Sequence, residues 1–337
     1  MAAFSGQEGP CQDGGVLMKS RSRIRIGAVA VLLVLVAVSA GCESSRPSAS
    51  GASAAPGSVA ATQPPSGAAA SSPAPVAGGH PHLMIIVDEN HSLQQVIGNA
   101  QMPYLNSLAS RYGLATRWNG LSHPSLPNYL GLVSGSIQDN PPDTTPADRT
   151  YSGPTVVGQL ARAGYSWRAY IEDMPHPCDL TDTFSPGNYD VNHNPFVYFD
   201  SIRGNRAQCD RVVPFTRFGT DLRDNTAPDF MWVSPNLIND MHDGKYAQGD
   251  DFLRTQIPLV LASRWYRAGG TIIITFDEGE TTEQVTTIVI SQHTQRGERL
   301  TTAGNHYGTL RAIEETYGVP LLGGAAAPSS GDLRALF

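Results

Sequence analysis

Two short apolar runs that end in paired acids constrain this chain more than any other feature. His82-Leu-Met-Ile-Ile-Val-Asp88 leads into Glu89, and Thr271-Ile-Ile-Ile-Thr-Phe276 leads into Asp277 and Glu278. Continuous apolar runs this short read as strands buried on both faces, and such strands belong to parallel sheets covered by helices. In sheets of that kind ligands bind beyond the carboxyl ends of the strands, which is where both acid pairs stand.

The segments between and around these runs fit the same plan. Met102 to Tyr112 places Leu105, Leu108 and Tyr112 at helical spacing before Gly113. Pro154 to Ala163 reads as a second helix, followed by a strand over Ser166–Ile171, and Asp229–Val233 reads as another strand. A long helix is predicted from Phe252 to Arg267, and a last strand over Val285–Ile290. Alternating helices and buried strands indicate an α/β domain over residues 81–320, with a mostly parallel central sheet and helices on both faces. Residues 172–228, rich in Pro, Asn and Asp, read as an irregular cap insertion, and 321–337 as a C-terminal tail.

The first quarter has a different character. Met18 to Arg25 is basic, Ile26 to Ala40 is almost wholly apolar, and Ser39-Ala40-Gly41-Cys42 closes the run. This is the layout of a signal peptide over residues 1–42, since the apolar run falls short of the ~20 residues a membrane span requires. Charge directly precedes the apolar run at Met18, so Met18 is the expected start and residues 1–17 are expected to lie outside the natural product. The Ala-Gly-Cys ending resembles a bacterial lipoprotein cleavage site with Cys42 as the lipidated residue, although Ser39 stands where Leu or Val is usual. Residues 43–80, mostly Ser, Ala, Pro and Gly, have too little apolar surface to fold and read as a tether. The expected location is extracytoplasmic, anchored to a membrane through Cys42 or secreted.

In an exported protein Cys178 and Cys209, isolated from the other two cysteines, are expected to form a disulfide, since they lack the spacing of a zinc site. The formal charge of −7 and the lack of a basic cluster beyond the signal peptide exclude a dedicated nucleic-acid surface. Oligomeric state leaves no mark on the sequence.

Asp277-Glu278 can offer a hard divalent cation several oxygens if the chain turns sharply at Gly279. Asp88-Glu89-Asn90 ends the other strand, and two converging acidic ends repel unless a cation or protons neutralise them. Ser125, bracketed by Pro124 and Pro127 ahead of an apolar run, stands at a predicted helix N-terminus, where the dipole favours an alkoxide and an approaching phosphate. At this level a mere cap remains the other reading of Ser125. Asp240, His242 and Asp243 cluster after the Asp229–Val233 strand, and His306 precedes a last amphipathic helix; either histidine suits acid–base work or a cap.

Taken together, Glu89-Asn90-His91-Ser92, His123-Pro-Ser-Leu-Pro-Asn-Tyr129, Pro235 to Asp243, Asp277-Glu278 and His306-Tyr307 resemble, in the same order, the motifs of a bacterial and fungal phosphoesterase family. That family holds acid phosphatases and non-haemolytic phospholipases C, within the alkaline phosphatase superfamily, and the resemblance covers about residues 82–320. It implies a hydrolase of phosphoric esters in which Ser125 becomes a phosphoserine. It further implies a divalent metal (Mg, Ca, Mn or Zn) held by Glu89, Asn90, Ser125, Asp277 and Glu278, with His242 and His306 holding phosphate or assisting the leaving group. His123, Asn128 and Asp240 are further phosphate-contact candidates. The chain is shorter than the phospholipases, and Leu93-Gln94-Gln95 replaces the family's Phe-Asp continuation. The expectation is therefore a phosphomonoesterase, with a phosphodiesterase or a non-catalytic phosphate-binding lipoprotein as the alternatives.

Overall fold

The computed structural model describes residues 79–181 and 188–337. The expected signal peptide, Cys42 and all but the end of the tether lie outside the described residues. The described residues form the strands β1 (Leu83–Asp88), β2 (Gly113–Ala115), β3 (Trp118–Asn119), β4 (Trp167–Ile171), β5 (Val212–Pro214), β6 (Phe230–Ser234), β7 (Thr271–Phe276), β8 (Thr287–Ile290), β9 (Arg299–Leu300) and β10 (Gly304–Asn305). Eight form one sheet in the order β5-β4-β6-β1-β7-β8-β2-β9, while β3 pairs with β10. Every pairing in the large sheet is parallel except those of β8, which runs antiparallel to both β7 and β2.

The apolar runs account for the centre of this sheet. Every residue of β1, β6 and β7 is buried, as expected of strands covered on both faces. The helices Pro103–Arg111 and Tyr246–Ala262 pack against each other, and Ser125–Ser134 packs against the last helix, His306–Tyr317. Gly135 ends the Ser125 helix with φ 72°, and a Cβ there would lie 2.2 Å from Leu322 O, so two separate constraints demand glycine.

Three expectations need correction. The helix expected over Phe252–Arg267 begins at Tyr246 and stops at Ala262, because Ser263 turns extended and its hydroxyl accepts Tyr266 N to cap a separate helix over Arg264–Arg267. The strand expected from Val285 begins at Thr287, since Val285 N is drawn away to Trp118 O at 2.8 Å. Residues 172–228 are not only a cap: they supply β5, an edge strand that continues the main sheet beside β4, and the helix Phe218–Arg223. Residues 321–337 carry three 3-10 turns whose Ala325, Leu333 and Leu336 are buried.

Cys178 and Cys209 are joined by a disulfide across a sequence separation of 31, and Cys178 N donates to Val212 O at 2.9 Å. The bond thus ties the residues after β4 to the sheet edge at β5. Closing a loop of that size removes unfolded-state entropy worth roughly 3–4 kcal/mol. The Cys178→Ser/Cys209→Ser double variant is expected to lose about that much stability in urea unfolding, and reduction of the wild type should reproduce the loss.

Candidate active site

The register of two parallel strands builds the site. Asp88 lies opposite Phe276, so Asp88-Glu89 and Asp277-Glu278 leave neighbouring strands side by side, about 4.8 Å apart. Asp277 N donates to Asp88 O at 2.9 Å, and Asn90 N donates to Asp277 Oδ1 at 3.0 Å. Glu89 N donates to Asp240 O at 2.9 Å, which brings in the loop after β6. Ser92 Oγ clasps the far loop, accepting Thr281 N and Thr282 N and donating to Thr282 O. Gly279 serves this clasp through space rather than φ: a Cβ there would lie 2.0 Å from Thr282 O and 2.8 Å from Ser92 Oγ.

One helix face completes the centre. Ser125 is the first residue of Ser125–Ser134, following Pro124 at the N-cap, and its hydroxyl donates to Glu89 Oε2 at 3.0 Å instead of capping the helix. One turn on, Tyr129 OH donates to Glu89 Oε1 at 2.5 Å, and Asn128 Nδ2 donates to Glu278 Oε2 at 3.2 Å. Residues three and four apart share a helix face, so the spacing of Ser125, Asn128 and Tyr129 is what lets one helix reach both acidic strand ends.

His193 links the two sides. Its Nε2 is 3.2 Å from Glu89 Oε1, its Nδ1 is 3.1 Å from Asp240 Oδ2, and its ring stacks on Tyr129 with centroids 5.2 Å apart. The sequence reading did not select His193, because the segment Asp190–Asn194 around it has a turn-like composition that carries no strand or helix period. His242 stands next to it, ring centroids 5.9 Å apart, with Nδ1 2.9 Å from Asp243 Oδ1. His123, about half exposed, lies 3.0 Å from Glu278 Oε1 and 3.3 Å from Glu283 Oε1.

His306 departs from the expectation of a phosphate-holding residue. Its ring is fully buried, Nε2 contacts the Asp277 carbonyl at 2.5 Å, and Nδ1 has no partner. Burial lowers its pKa to about 4, so the ring is neutral and its Nε2–H donates to that carbonyl. His306 therefore holds the Asp277 turn from behind.

Asp88, Glu89, Asp240, Asp277 and Glu278 are all buried, whereas no Lys or Arg is buried among the described residues. Two carboxylates about 4 Å apart repel by about 4 kcal/mol even at an effective dielectric near 20. Desolvation first, and repulsion from Asp240 and Asp277 second, hold Asp88 and Glu89 well above the usual carboxylate range. Desolvation likewise raises Asp240 and Asp277, and desolvation with Asp277 raises Glu278 to about 7. For His193 burial opposes the charged ring, but Glu89 and Asp240 outweigh it and raise its pKa well above the usual value. Both oxygens of Asp88 and Oδ2 of Asp277 are buried without a partner. Glu89, His193 and Asp240 each bring one donor atom within 4.8 Å of the others, a group able to hold a metal ion.

A mostly parallel sheet whose strand ends gather buried acids around a helix-terminal serine is, in this family, the frame of a hydrolase of phosphoric esters. Residues 98–320 match the Phosphoesterase family, and the chain belongs to it. It is 32% identical over 256 residues to the phosphatidylinositol-3-phosphatase of Mycobacterium tuberculosis, covering 75% of this chain and 82% of that one. It is 27% identical over 235 residues to a phosphate-repressible acid phosphatase of Penicillium chrysogenum, covering 65% of this chain and 55% of the relative. The chain thus spans only about half the length of that fungal relative. Its fold is similar to that of a protein of the alkaline phosphatase superfamily from Vibrio parahaemolyticus, with a TM-score of 0.52, 13% identity and coverage of 76% of this chain and 69% of that one.

The raised carboxyl pKa values have a sign that can be checked. Acids whose folded pKa is raised favour folding at low pH, and that contribution is lost as pH rises through the folded value, which for Glu278 is about 7. Protein stripped of divalent ions should therefore lose thermal stability as pH climbs from about 5 to about 8. Added divalent ion should raise the melting temperature more at the upper end, releasing protons that calorimetry in buffers of different ionisation enthalpy will count.

Proposed function

We propose that the chain is an exported, divalent-metal-dependent phosphomonoesterase that works through a phosphoserine on Ser125. The observation that carries this reading is a buried serine hydroxyl at a helix N-terminus, 3.0 Å from Glu89 Oε2, within a set of buried acids that no buried Lys or Arg neutralises among the described residues. The signal-peptide layout and Cys42 support export, as does the Cys178–Cys209 disulfide, a bond that persists in oxidising compartments.

The donor set fits a hard cation. Asp277 keeps one buried oxygen without a partner, and the ligands Glu89, Asn90, Ser125, Asp277 and Glu278 would all present oxygen. Oxygen donors suit Mg, Ca or Mn, while His242 nearby would admit Zn. When bound, the ion would lower the pKa of the Ser125 hydroxyl and offset charge on the phosphoryl oxygens. His193 already meets Glu89 and Asp240 with its two ring nitrogens, so its own positive charge serves that pair.

In this reading Ser125 Oγ attacks phosphorus as the ester P–O bond breaks, and the serine proton passes to Glu89 Oε2. Tyr129 and His193 hold the other Glu89 oxygen, which keeps Oε2 aimed at the nucleophile. His242 gives a proton to the leaving oxygen. Water then attacks the phosphoserine and returns a proton to His242, the P–Oγ bond breaks, Ser125 recovers its proton from Glu89, and phosphate leaves. Charge stabilisation and positioning supply the rate, as in phosphoryl transfer generally. Relatives named as phosphatases support monoesters over diesters.

Metal-depleted and metal-restored protein should be assayed on p-nitrophenyl phosphate beside bis-p-nitrophenyl phosphate. Activity is expected to require the metal and to favour the monoester, and Ser125→Ala should lose at least about a thousandfold in kcat. Acid quenching in turnover should trap phosphate on Ser125. Faster diester hydrolysis would replace the reading with a phosphodiesterase, and an undiminished Ser125→Ala would remove Ser125 as nucleophile.

A further inference from the structure

The helix that carries Ser125 already has an anion on its N-terminus. Asp143, an exposed residue of the loop that follows this helix, accepts the Leu126 backbone N–H at 3.1 Å through Oδ1. That amide is next in sequence to the nucleophile and belongs to the helix end that favours an incoming phosphoryl group. Burial raises the pKa of this carboxyl, the Leu126 bond opposes that, and Asp190, His193 and His242 act on it further, while its own charge acts on Glu278, so it belongs to the electrostatics of the site.

The loop backbone that presents Asp143 is built to stay put. Thr144 N donates to Asn192 Oδ1 at 2.9 Å and Thr144 O accepts Tyr198 OH at 2.5 Å, both from the segment that also carries His193. On the other side Ser122 Oγ donates to Asn140 Oδ1 at 2.5 Å, and Pro141-Pro142 stiffens the approach. The residue is exposed while its bond to Leu126 is part-buried, so with the backbone pinned Asp143 can leave Leu126 by rotating about its own torsions, with no loop opening.

We infer that Asp143 is a displaceable stand-in for phosphate, a carboxylate that competes with substrate and product for the Leu126 amide and thereby sets phosphate affinity and charge selectivity at Ser125. The inference rests on the phosphatase reading above and deepens it. A carboxylate held there repels a phosphomonoester dianion more than a diester monoanion, so it weakens phosphate product binding and narrows the preference for monoesters. An ordinary helix cap would have neither effect.

The test compares the metal-loaded wild type with Asp143→Asn and Asp143→Ala at constant ionic strength. Both variants are expected to bind inorganic phosphate about five- to tenfold more tightly, by competitive inhibition and by direct calorimetric titration. Their kcat/KM ratio for p-nitrophenyl phosphate over bis-p-nitrophenyl phosphate should rise. Unchanged or weaker phosphate binding with only a lower melting temperature would reduce Asp143 to a cap and overturn the inference. A fall in kcat that steepens for poorer leaving groups would make Asp143 a proton donor and overturn it equally. If the wild type hydrolyses neither ester, the catalytic reading fails, while the calorimetric comparison with phosphate still decides what Asp143 does.

Discussion

The parallel pairing of β1 with β7 is the constraint from which the rest follows. Its register delivers Asp88-Glu89 and Asp277-Glu278 to the same edge, and the Asp277 N to Asp88 O bond fixes them there. Both strands are buried throughout, so the acids emerge from an apolar layer with little water to screen them. The resulting repulsion is the feature that the surrounding groups answer, with protons in the absence of a cation and with His193 on one side. A fold selected for stability alone would not gather these charges, because isolated buried carboxylates are among the least favourable groups to desolvate.

The helix Ser125–Ser134 and the segment around His193 meet this acid pair from different parts of the chain. The helix brings a hydroxyl, an amide and a phenol to it from one face. His193 comes from residues that looked like an irregular insertion, and that segment also positions Asp143 through Asn192 and Tyr198. The insertion is therefore part of the buried acid cluster, through His193, as well as of the sheet, through β5. Its disulfide holds the two duties together, since Cys178 is bonded both to Cys209 and, by its backbone, to Val212 of β5.

Membership in the Phosphoesterase family sets the bond that is broken. The coverage of the fungal acid phosphatases is about half their length, whereas that of the mycobacterial phosphatidylinositol-3-phosphatase is 82%. The acid cluster lies within the span of this chain, with His123 on Glu278 and Asp143 on the Leu126 amide beside it.

Much was legible in the sequence because its physics is local. A run such as Leu83–Val87 has few options other than a doubly buried strand, Leu105, Leu108 and Tyr112 at helical spacing before Gly113 mark a helix, and motif order pointed to Glu89, Ser125, Asp277 and Glu278 as members of one site. What only the tertiary structure decided were relations across long separations. His193 pairs with Glu89 and Asp240, Asp143 lies on the Leu126 amide, His306 turns its ring to the Asp277 carbonyl and away from solvent, and Gly279 is demanded by the approach of Thr282 O. Periodicity and backbone preference are properties of neighbouring residues, and so the sequence carries them openly; hydrogen-bond partners, burial and pKa arise from the field of distant segments, and exist only once the sheet has set those segments side by side.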